Sequence, residues 1–221
     1  MQAQPSERIK KDVVDQLYWD SRIDASDIKI AVEDRDVIMS GAVPSRMAQL
    51  AAQEDALSVA GVRGVVNELE IRYADRPLPA DRTIADNVKA MIGWNAELAD
   101  SKIKVSARAG KVTLEGTVDT VWKRLRAQDL AAEVEGVVDV ENALTVVPTE
   151  DMVDEVIAEE ILAAVKRNRL LDSETINVEV DGGMVTLSGT VDSWEARERA
   201  NQAALYTFGV RDVTNNIVVR P

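Results

Sequence analysis

Few residues in this chain have the side-chain chemistry that catalysis usually needs. The sequence of 221 residues has no cysteine and no histidine, which excludes thiol nucleophiles, imidazole bases and thiolate zinc sites. Its 39 Asp and Glu residues offer carboxylates for acid–base chemistry. However, no carboxylate pair recurs at matched positions in all three copies with a pocket-forming context, and the acidic segment EDRD (33–36) has too few ligands for a calcium site. We therefore expect no catalytic residue, cofactor, metal or small-molecule substrate, and a protein that is not an enzyme.

The side chains best suited by type to contact a partner are tryptophans and short basic runs. Tryptophan prefers the interface between lipid and water, and each basic residue near an anionic membrane contributes about 1 kcal/mol of attraction. The candidate contact residues are Trp19, Trp94, Trp122 and Trp194, the run KRLR with Lys123, Arg124 and Arg126, and the run KRNR with Lys166, Arg167 and Arg169. These residues predict contact with a phospholipid membrane surface or a protein client.

Both groups also have a purely structural interpretation. The chain has only four Trp, three Tyr and one Phe, so tryptophans at helix ends could cover small cores that lack bulky side chains, and we favour that interpretation. Cations in the last turn of a helix compensate its dipole, which explains KRNR without a ligand. The net charge of −13 argues against a nucleic-acid partner, because phosphate binding requires clustered cations.

A threefold internal repeat with a period of about 75 residues carries these side chains. The segments VIMSGAV, VTLEGTV and VTLSGTV place Gly41, Gly116 and Gly189 at equivalent positions. Alignment on these glycines, without gaps, matches four further columns. Those columns hold Gly61, Gly136 and Gly209; Asn67, Asn142 and Asn215; Ser45, Thr120 and Ser193; and Ile28, Ile103 and Ile176. We number the copies one to three along the chain.

Each copy has the sequence pattern helix, strand, strand, helix, strand. Apolar residues such as Ile9, Val13 and Leu17 recur every four residues before the first strand, which is typical of a helix. Alternating apolar residues then predict two strands and a tight turn, followed by an alanine-rich helix and a third strand. The expected fold class is α+β, with three tandem α-β-β-α-β domains, each a small mixed three-stranded sheet with two helices on one face. The domains are expected at residues 6–73, 82–148 and 152–221.

The repeated columns have structural roles in this scheme. The glycine of the second strand is expected to let a helix backbone approach or to form a bulge. Ser45 is expected to cap the second helix, with Gly61 as its C′ glycine. Thr83, followed by Asp86, predicts a helix start in copy two that resembles a capping box. The inward-facing Asn67 is expected to satisfy backbone groups of a neighbouring loop or helix end.

This pattern resembles the BON domain, which is named for bacterial osmotically inducible and nodulation proteins. The resemblance is carried by VTLEGTV and GVVDVENALTV in copy two, by VTLSGTV and GVRDVTNNIVV in copy three, and more loosely by VIMSGAV and GVRGVVNELEI in copy one. It implies a non-catalytic, transport-associated module of osmotic-stress proteins, often periplasmic, that contacts phospholipid surfaces or other envelope components.

The leading hypothesis is a non-catalytic, multi-module binding protein of the osmotic and envelope-stress type. One alternative is a structural or assembly module that self-associates through exposed sheet edges. Another, by analogy within the family, is a cytosolic potassium-responsive protein. The segment MQAQPSERIKKDVV has no apolar run typical of a signal peptide, which predicts a cytoplasmic location as written and a periplasmic one if a leader was removed.

Overall fold

The computed structural model describes residues 5–73, 78–150, 152–169, 171 and 175–220. Each copy forms its own three-stranded sheet with two helices packed against it, which confirms the predicted fold class. Copy one contains α1 (Pro5–Trp19), β1 (Ile28–Glu33), β2 (Asp36–Val43), α2 (Arg46–Ser58) and β3 (Gly64–Ile71). Copy two contains α3 (Asp81–Trp94), β4 (Lys102–Arg108), β5 (Lys111–Val118), α4 (Val121–Ala132) and β6 (Asp139–Val146). Copy three contains α5 (Asp154–Arg167), β7 (Ile176–Asp181), β8 (Met184–Val191), α6 (Trp194–Leu205) and β9 (Asp212–Val219).

The second strand of each copy lies in the middle of its sheet. In copy one, β1 pairs antiparallel and β3 parallel with β2, so that Met39 lies opposite Ile30 on one side and Asn67 on the other. A parallel pair needs a crossover connection, and α2 supplies it. Met39 is fully buried in one cluster with Val13 of α1 and Ala52 of α2. The same pairing holds in copies two and three, where the buried residues join into one cluster separate from that of copy one.

The repeated strand glycine is required by the neighbouring strand, and the expected approach of a helix was wrong. The values of φ at Gly41, Gly116 and Gly189 are 118°, 130° and 129°. A Cβ there would lie 2.0, 1.9 and 1.9 Å from the carbonyl oxygens of Asp27, Lys102 and Thr175. These carbonyls lie at the start of the paired first strand, so they occupy the space that a side chain would need.

The predicted N-caps of the second helices are confirmed. The side-chain oxygens of Ser45, Thr120 and Ser193 each accept a hydrogen bond from the backbone N–H three residues later. The capping-box start at Thr83 was wrong, because α3 already begins at Asp81 and no side chain caps it.

The expected C′ position of Gly61 was also wrong. Helix α2 ends at Ser58, and Gly61 lies in the turn that leads to β3, with a φ of 93°. A Cβ at Gly61 would touch the side chain of Ile9 at 3.4 Å. That distance is an ordinary van der Waals contact, so the positive φ of the turn, and not a lack of space, accounts for the glycine.

Candidate functional site

An asparagine of the third strand ties that strand to the second helix in every copy. The Nδ2 of Asn67 donates to the carbonyl oxygen of Gln49 at 3.1 Å, and its Oδ1 accepts from the N–H of Leu69 at 3.2 Å. Asn142 and Asn215 make the corresponding pairs of bonds, with Nδ2 to helix carbonyl distances of 2.8 and 3.4 Å. These amides fix the position of the second helix, whose first turn holds Trp122 or Trp194.

An aspartate at the start of the first helix holds the hairpin turn in copies two and three. The carboxylate of Asp81 accepts from the N–H groups of Ala109 and Gly110 at 2.8 and 3.0 Å, and these bonds hold the pKa of Asp81 below its ordinary value. Asp154 accepts in the same way from the turn N–H groups of copy three, at 2.7 and 2.9 Å. Copy one has Ser6 at this position. This link was not predicted, although the acidic residue at matched positions of copies two and three is a signal for it.

The copies contact one another head to tail. The start of the second helix of one copy meets the start of the third strand of the next copy. Arg46 Nη2 lies 3.6 Å from Asp139 Oδ1 between copies one and two. Arg124 Nη2 lies 2.5 Å from Asp212 Oδ1 between copies two and three. Because Asp139 and Asp212 are equivalent positions, the two junctions use the same part of each copy.

The third junction returns from copy three to copy one and closes a ring. The indole N–H of Trp194 donates to the carbonyl oxygen of Arg63 at 2.9 Å. Copy one has Gly64 where Asp139 and Asp212 stand, so this junction lacks their carboxylate. The three copies thus contact one another in turn and form a closed arrangement.

The structure overturns the favoured interpretation of two tryptophans as lids over the cores. Trp19 and Trp94, at the ends of α1 and α3, are 81% and 83% exposed. Tyr18 lies edge-on to Trp19, with ring centroids 5.3 Å apart, and is also exposed. The Ala, Val, Ile and Leu side chains fill the small cores without these rings. Trp122 and Trp194 are partly buried.

The two basic runs differ in how far acidic neighbours neutralise their charges. In KRLR every cation has an acidic neighbour: Lys123 Nζ is 2.8 Å from Asp119, Arg124 pairs with Asp212, and Arg126 Nη1 is 3.9 Å from Glu133. This run is therefore largely neutralised.

In KRNR, by contrast, Lys166, Arg167 and Arg169 are exposed, and none of them forms an ion pair with a residue that the structure describes. Arg167 occupies the position that Trp19 and Trp94 hold in the other copies. Two exposed tryptophans and an exposed basic run thus lie at equivalent positions of the ring.

Copy one has an acidic cluster between its two helices. Asp55 is only 6% exposed, its Oδ1 is 3.4 Å from Gln16 Nε2, and its Oδ2 has no hydrogen-bond partner. Burial raises the pKa of Asp55. Nearby, hydrogen bonds from Arg22 lower the pKa of Asp20 to about 2.

The described ranges contain neither a metal-binding cluster nor a membrane-spanning helix. No group of three or more acidic residues there is arranged to hold a metal ion. No described helix combines the length and apolar character needed to cross a bilayer.

Comparison with known families assigns the chain to a class. The family model of the BON domain matches residues 5–73, 80–148 and 153–221. These matches cover nearly all of the chain, which therefore belongs to the BON domain family as three tandem copies.

The osmotically-inducible protein Y of Escherichia coli is 31% identical over 143 residues, which span 62% of this chain and 71% of that protein. Among solved structures, the C-terminal domain of CdsD, a structural protein of the type III secretion system of Chlamydia trachomatis, is 12% identical. That alignment covers 96% of each chain with a TM-score of 0.28. The PrgH periplasmic domain is 14% identical, covering 89% of this chain and 97% of that domain with a TM-score of 0.23.

Proposed function

We propose that this protein is a non-catalytic binding protein of the osmotic and envelope-stress type that docks on anionic phospholipid surfaces. Two findings support the general role: the three BON domains, and the likeness to an osmotically inducible protein. The proposed docking surface consists of Trp19, Trp94 and the KRNR run (166–169), and we call it the tryptophan end of the ring.

The exposure of Trp19 and Trp94 is the observation that carries this proposal. Burying an exposed apolar ring gains about 25 cal/mol for each Å² removed from water, and neither ring is buried against its own copy. Indole rings favour the headgroup region of a bilayer. Trp19 and Trp94 are the last residues of the equivalent helices α1 and α3, and we expect both rings to meet one flat surface together.

The KRNR run would add an electrostatic contribution at the same end. Lys166, Arg167 and Arg169 lack acidic partners among the described residues, and each would contribute roughly 1 kcal/mol near anionic lipid. The remaining charge of the protein is strongly negative, and Asp20 directly follows Trp19, so an anionic bilayer would attract the KRNR run while the tryptophans contribute through burial of their rings. Three weak contacts on one chain also reinforce one another through effective concentration.

Liposome flotation tests this proposal. We expect the protein to float with phosphatidylglycerol vesicles at low salt, less at high salt, and little with phosphatidylcholine vesicles. The variant Trp19→Ala/Trp94→Ala should lose most of the binding. The matched control Leu78→Ala/Met184→Ala removes two other exposed apolar side chains and should bind normally. Equal flotation of the two double variants would exclude the tryptophan end as the docking surface.

Self-association is a second candidate function, favoured by the open sheets. In each described sheet the first and third strands pair on one side only, and Val66 of β3 and Val218 of β9 are exposed. An unpaired strand edge can accept a strand from another chain. Size-exclusion chromatography with light scattering should show concentration-dependent oligomers if this occurs, and a monomer at all concentrations would argue against it.

A further inference from the structure

Copy three contains an apolar groove that continues into a hollow lined by arginines. The groove, of about 630 Å³, lies between α5 and α6, and the hollow, of about 730 Å³, borders it at the end of α5. The two share Ala164, Arg167, Asn168 and Arg199 in their walls. We propose that this groove binds a single anionic amphiphile, with its acyl chain between the helices and its head group at the arginines.

The groove is open because two small residues face it. Ala164 of α5 and Ala203 of α6 line its floor. The equivalent positions hold Met91 and Leu130 in copy two, and both of these side chains belong to the core of that copy. In copy one they hold Gln16 and Asp55, which are hydrogen-bonded to each other. Since the backbone repeats, the alanines leave space between α5 and α6 that longer side chains fill elsewhere.

The groove has an apolar part that is accessible. Val156, Tyr206 and Phe208 are 40%, 60% and 44% exposed, and all three line the groove with Ile157 at its base. A volume near 600 Å³ is within the range of sites for small organic ligands, which are mostly apolar with a few polar groups at one end. An alkyl chain can cover this apolar part, because the neighbouring Gln202 and Thr207 side chains already form hydrogen bonds within α6 and its end.

The arginines that line the groove and the hollow favour a ligand with an anionic head group. Arg167 and Arg169 have no ion-pair partner among the described residues, and Arg199 Nη2 lies 3.8 Å from Glu195 Oε1 in an exposed pair. Guanidinium groups bind phosphate and carboxylate in preference to neutral groups. The acidic side chain that lines the groove is Glu160, which lies on α5 one turn before Ala164.

Copy one shows the opposite chemistry at the same positions. Its residues Asp20, Glu54 and Asp55 correspond to Asn168, Gln202 and Ala203 of copy three. Three carboxylates are thus replaced by neutral side chains where an anion would approach. We infer the site for copy three alone, because an anionic ligand would be repelled between α1 and α2.

This site rests on the proposed function for the anionic lipid character of its ligand, but it does not require a bilayer. A monomeric amphiphile separates the two. We propose isothermal titration with dodecyl phosphate below its critical micelle concentration, using butyl phosphate and dodecyl maltoside as comparisons. Dodecyl phosphate should bind at one site per chain, and the two comparison compounds should bind at least tenfold more weakly.

A groove-filling variant provides the sharpest test. Ala164→Met/Ala203→Leu introduces the side chains that copy two already accommodates at these positions, so the variant should fold, with an unchanged circular dichroism spectrum and melting temperature. Binding of dodecyl phosphate should fall at least tenfold. Flotation with vesicles should be unchanged, because the tryptophan end is intact.

A charge variant tests the head-group position. Arg167→Gln/Arg169→Gln should weaken dodecyl phosphate binding at least fivefold. The control Lys10→Gln/Lys11→Gln changes the net charge equally with two exposed residues of α1 and should bind within twofold of the wild type. Binding that survives groove filling, or that both charge variants weaken equally, would overturn the site while leaving the bilayer proposal standing. Loss of flotation with retained dodecyl phosphate binding would overturn the bilayer proposal and leave the groove site standing.

Discussion

Copies one and three share a frame but differ in what lies between their helices. The strand glycine has a φ of 118° in one and 129° in the other, and Asn67 and Asn215 make the same links between strand and helix. Between the helices, copy one buries Asp55, and copy three has an open groove with Ala203 at that position. The strand glycine and the third-strand asparagine therefore maintain the fold in both copies. The side chains between the two helices can differ without changing it.

Gly41→Ala and Gly189→Ala should have the largest effect on unfolding free energy. Similar losses in the two variants would show that copies one and three depend on the same backbone geometry. In each case the new Cβ would overlap a backbone carbonyl at 2.0 or 1.9 Å, so we expect a loss of roughly 3 kcal/mol or more in unfolding free energy. Gly93→Ala is the control, because no atom lies within 4 Å of its Cβ position in α3, and it should be neutral or stabilising. Urea denaturation measures all three. If only one of the two variants lost less than 1 kcal/mol in unfolding free energy, the two copies would not depend on this glycine in the same way.

Asp55→Asn should reveal the difference between the copies. The buried carboxylate has a raised pKa and an unpaired oxygen, and Arg22 Nη2, at 3.7 Å from its Oδ1, offsets only part of the cost of burial, so removing its charge should stabilise the protein by about 1 kcal/mol at pH 7. A raised pKa means that the folded state binds the proton more tightly. The wild type should therefore approach the variant in stability as the pH falls through that pKa.

Asp20→Asn is the matched control for that titration and has the opposite sign. Its pKa is lowered to about 2, chiefly by the hydrogen bonds from Arg22. Its stabilising effect is thus present above the ordinary pKa of an aspartate and is lost as the pH falls toward 2. Thermal melts from pH 2 to pH 7 measure both variants. Parallel pH profiles for the two would contradict the assignment of Asp55 as a destabilising charge.

Asp81→Asn tests a link that copy one lacks. The turn N–H groups lower the pKa of Asp81, so the variant should melt earlier than the wild type at pH 7, and the difference should disappear as the pH falls below the lowered pKa. Ser6→Ala, at the equivalent position of copy one, should melt like the wild type. An equal decrease in both variants would show that the hairpin link is not specific to the aspartate.

Trp194→Phe should have the smallest effect and tests the contact between copies one and three. It removes one hydrogen bond to the Arg63 carbonyl, worth about 1 kcal/mol or less at this partly exposed site. Small-angle scattering should show an increased radius of gyration if this junction closes the ring. Arg72→Gln, which removes an exposed pair with Glu70 of the same strand, should leave the radius unchanged.

The sequence predicted the elements that depend on local chemistry. Ser45, Thr120 and Ser193 were identified as caps because a hydroxyl next to an apolar pattern satisfies the first N–H groups of a helix. The start of α3 was misjudged, since Asp81 bonds across the fold to a turn 28 residues away and Thr83 suggested a local cap. The exposure of Trp19 was misjudged for a similar reason, because aliphatic packing alone fills the core.

The amino-acid sequence by itself determined three like domains, the order of helices and strands along each, and the exclusion of thiol and imidazole chemistry, because periodicity, repeated glycine columns and composition are properties of the sequence. Three features were decided only by the tertiary structure. A carbonyl of the paired strand leaves no room for a side chain at the strand glycine. The ring closes through Trp194, and Ala164 and Ala203 leave a groove between their helices. These features depend on pairs of residues far apart in the chain. A groove between two helices forms where the facing side chains are too short to fill the space. Which side chains face each other is known only once the helices are packed.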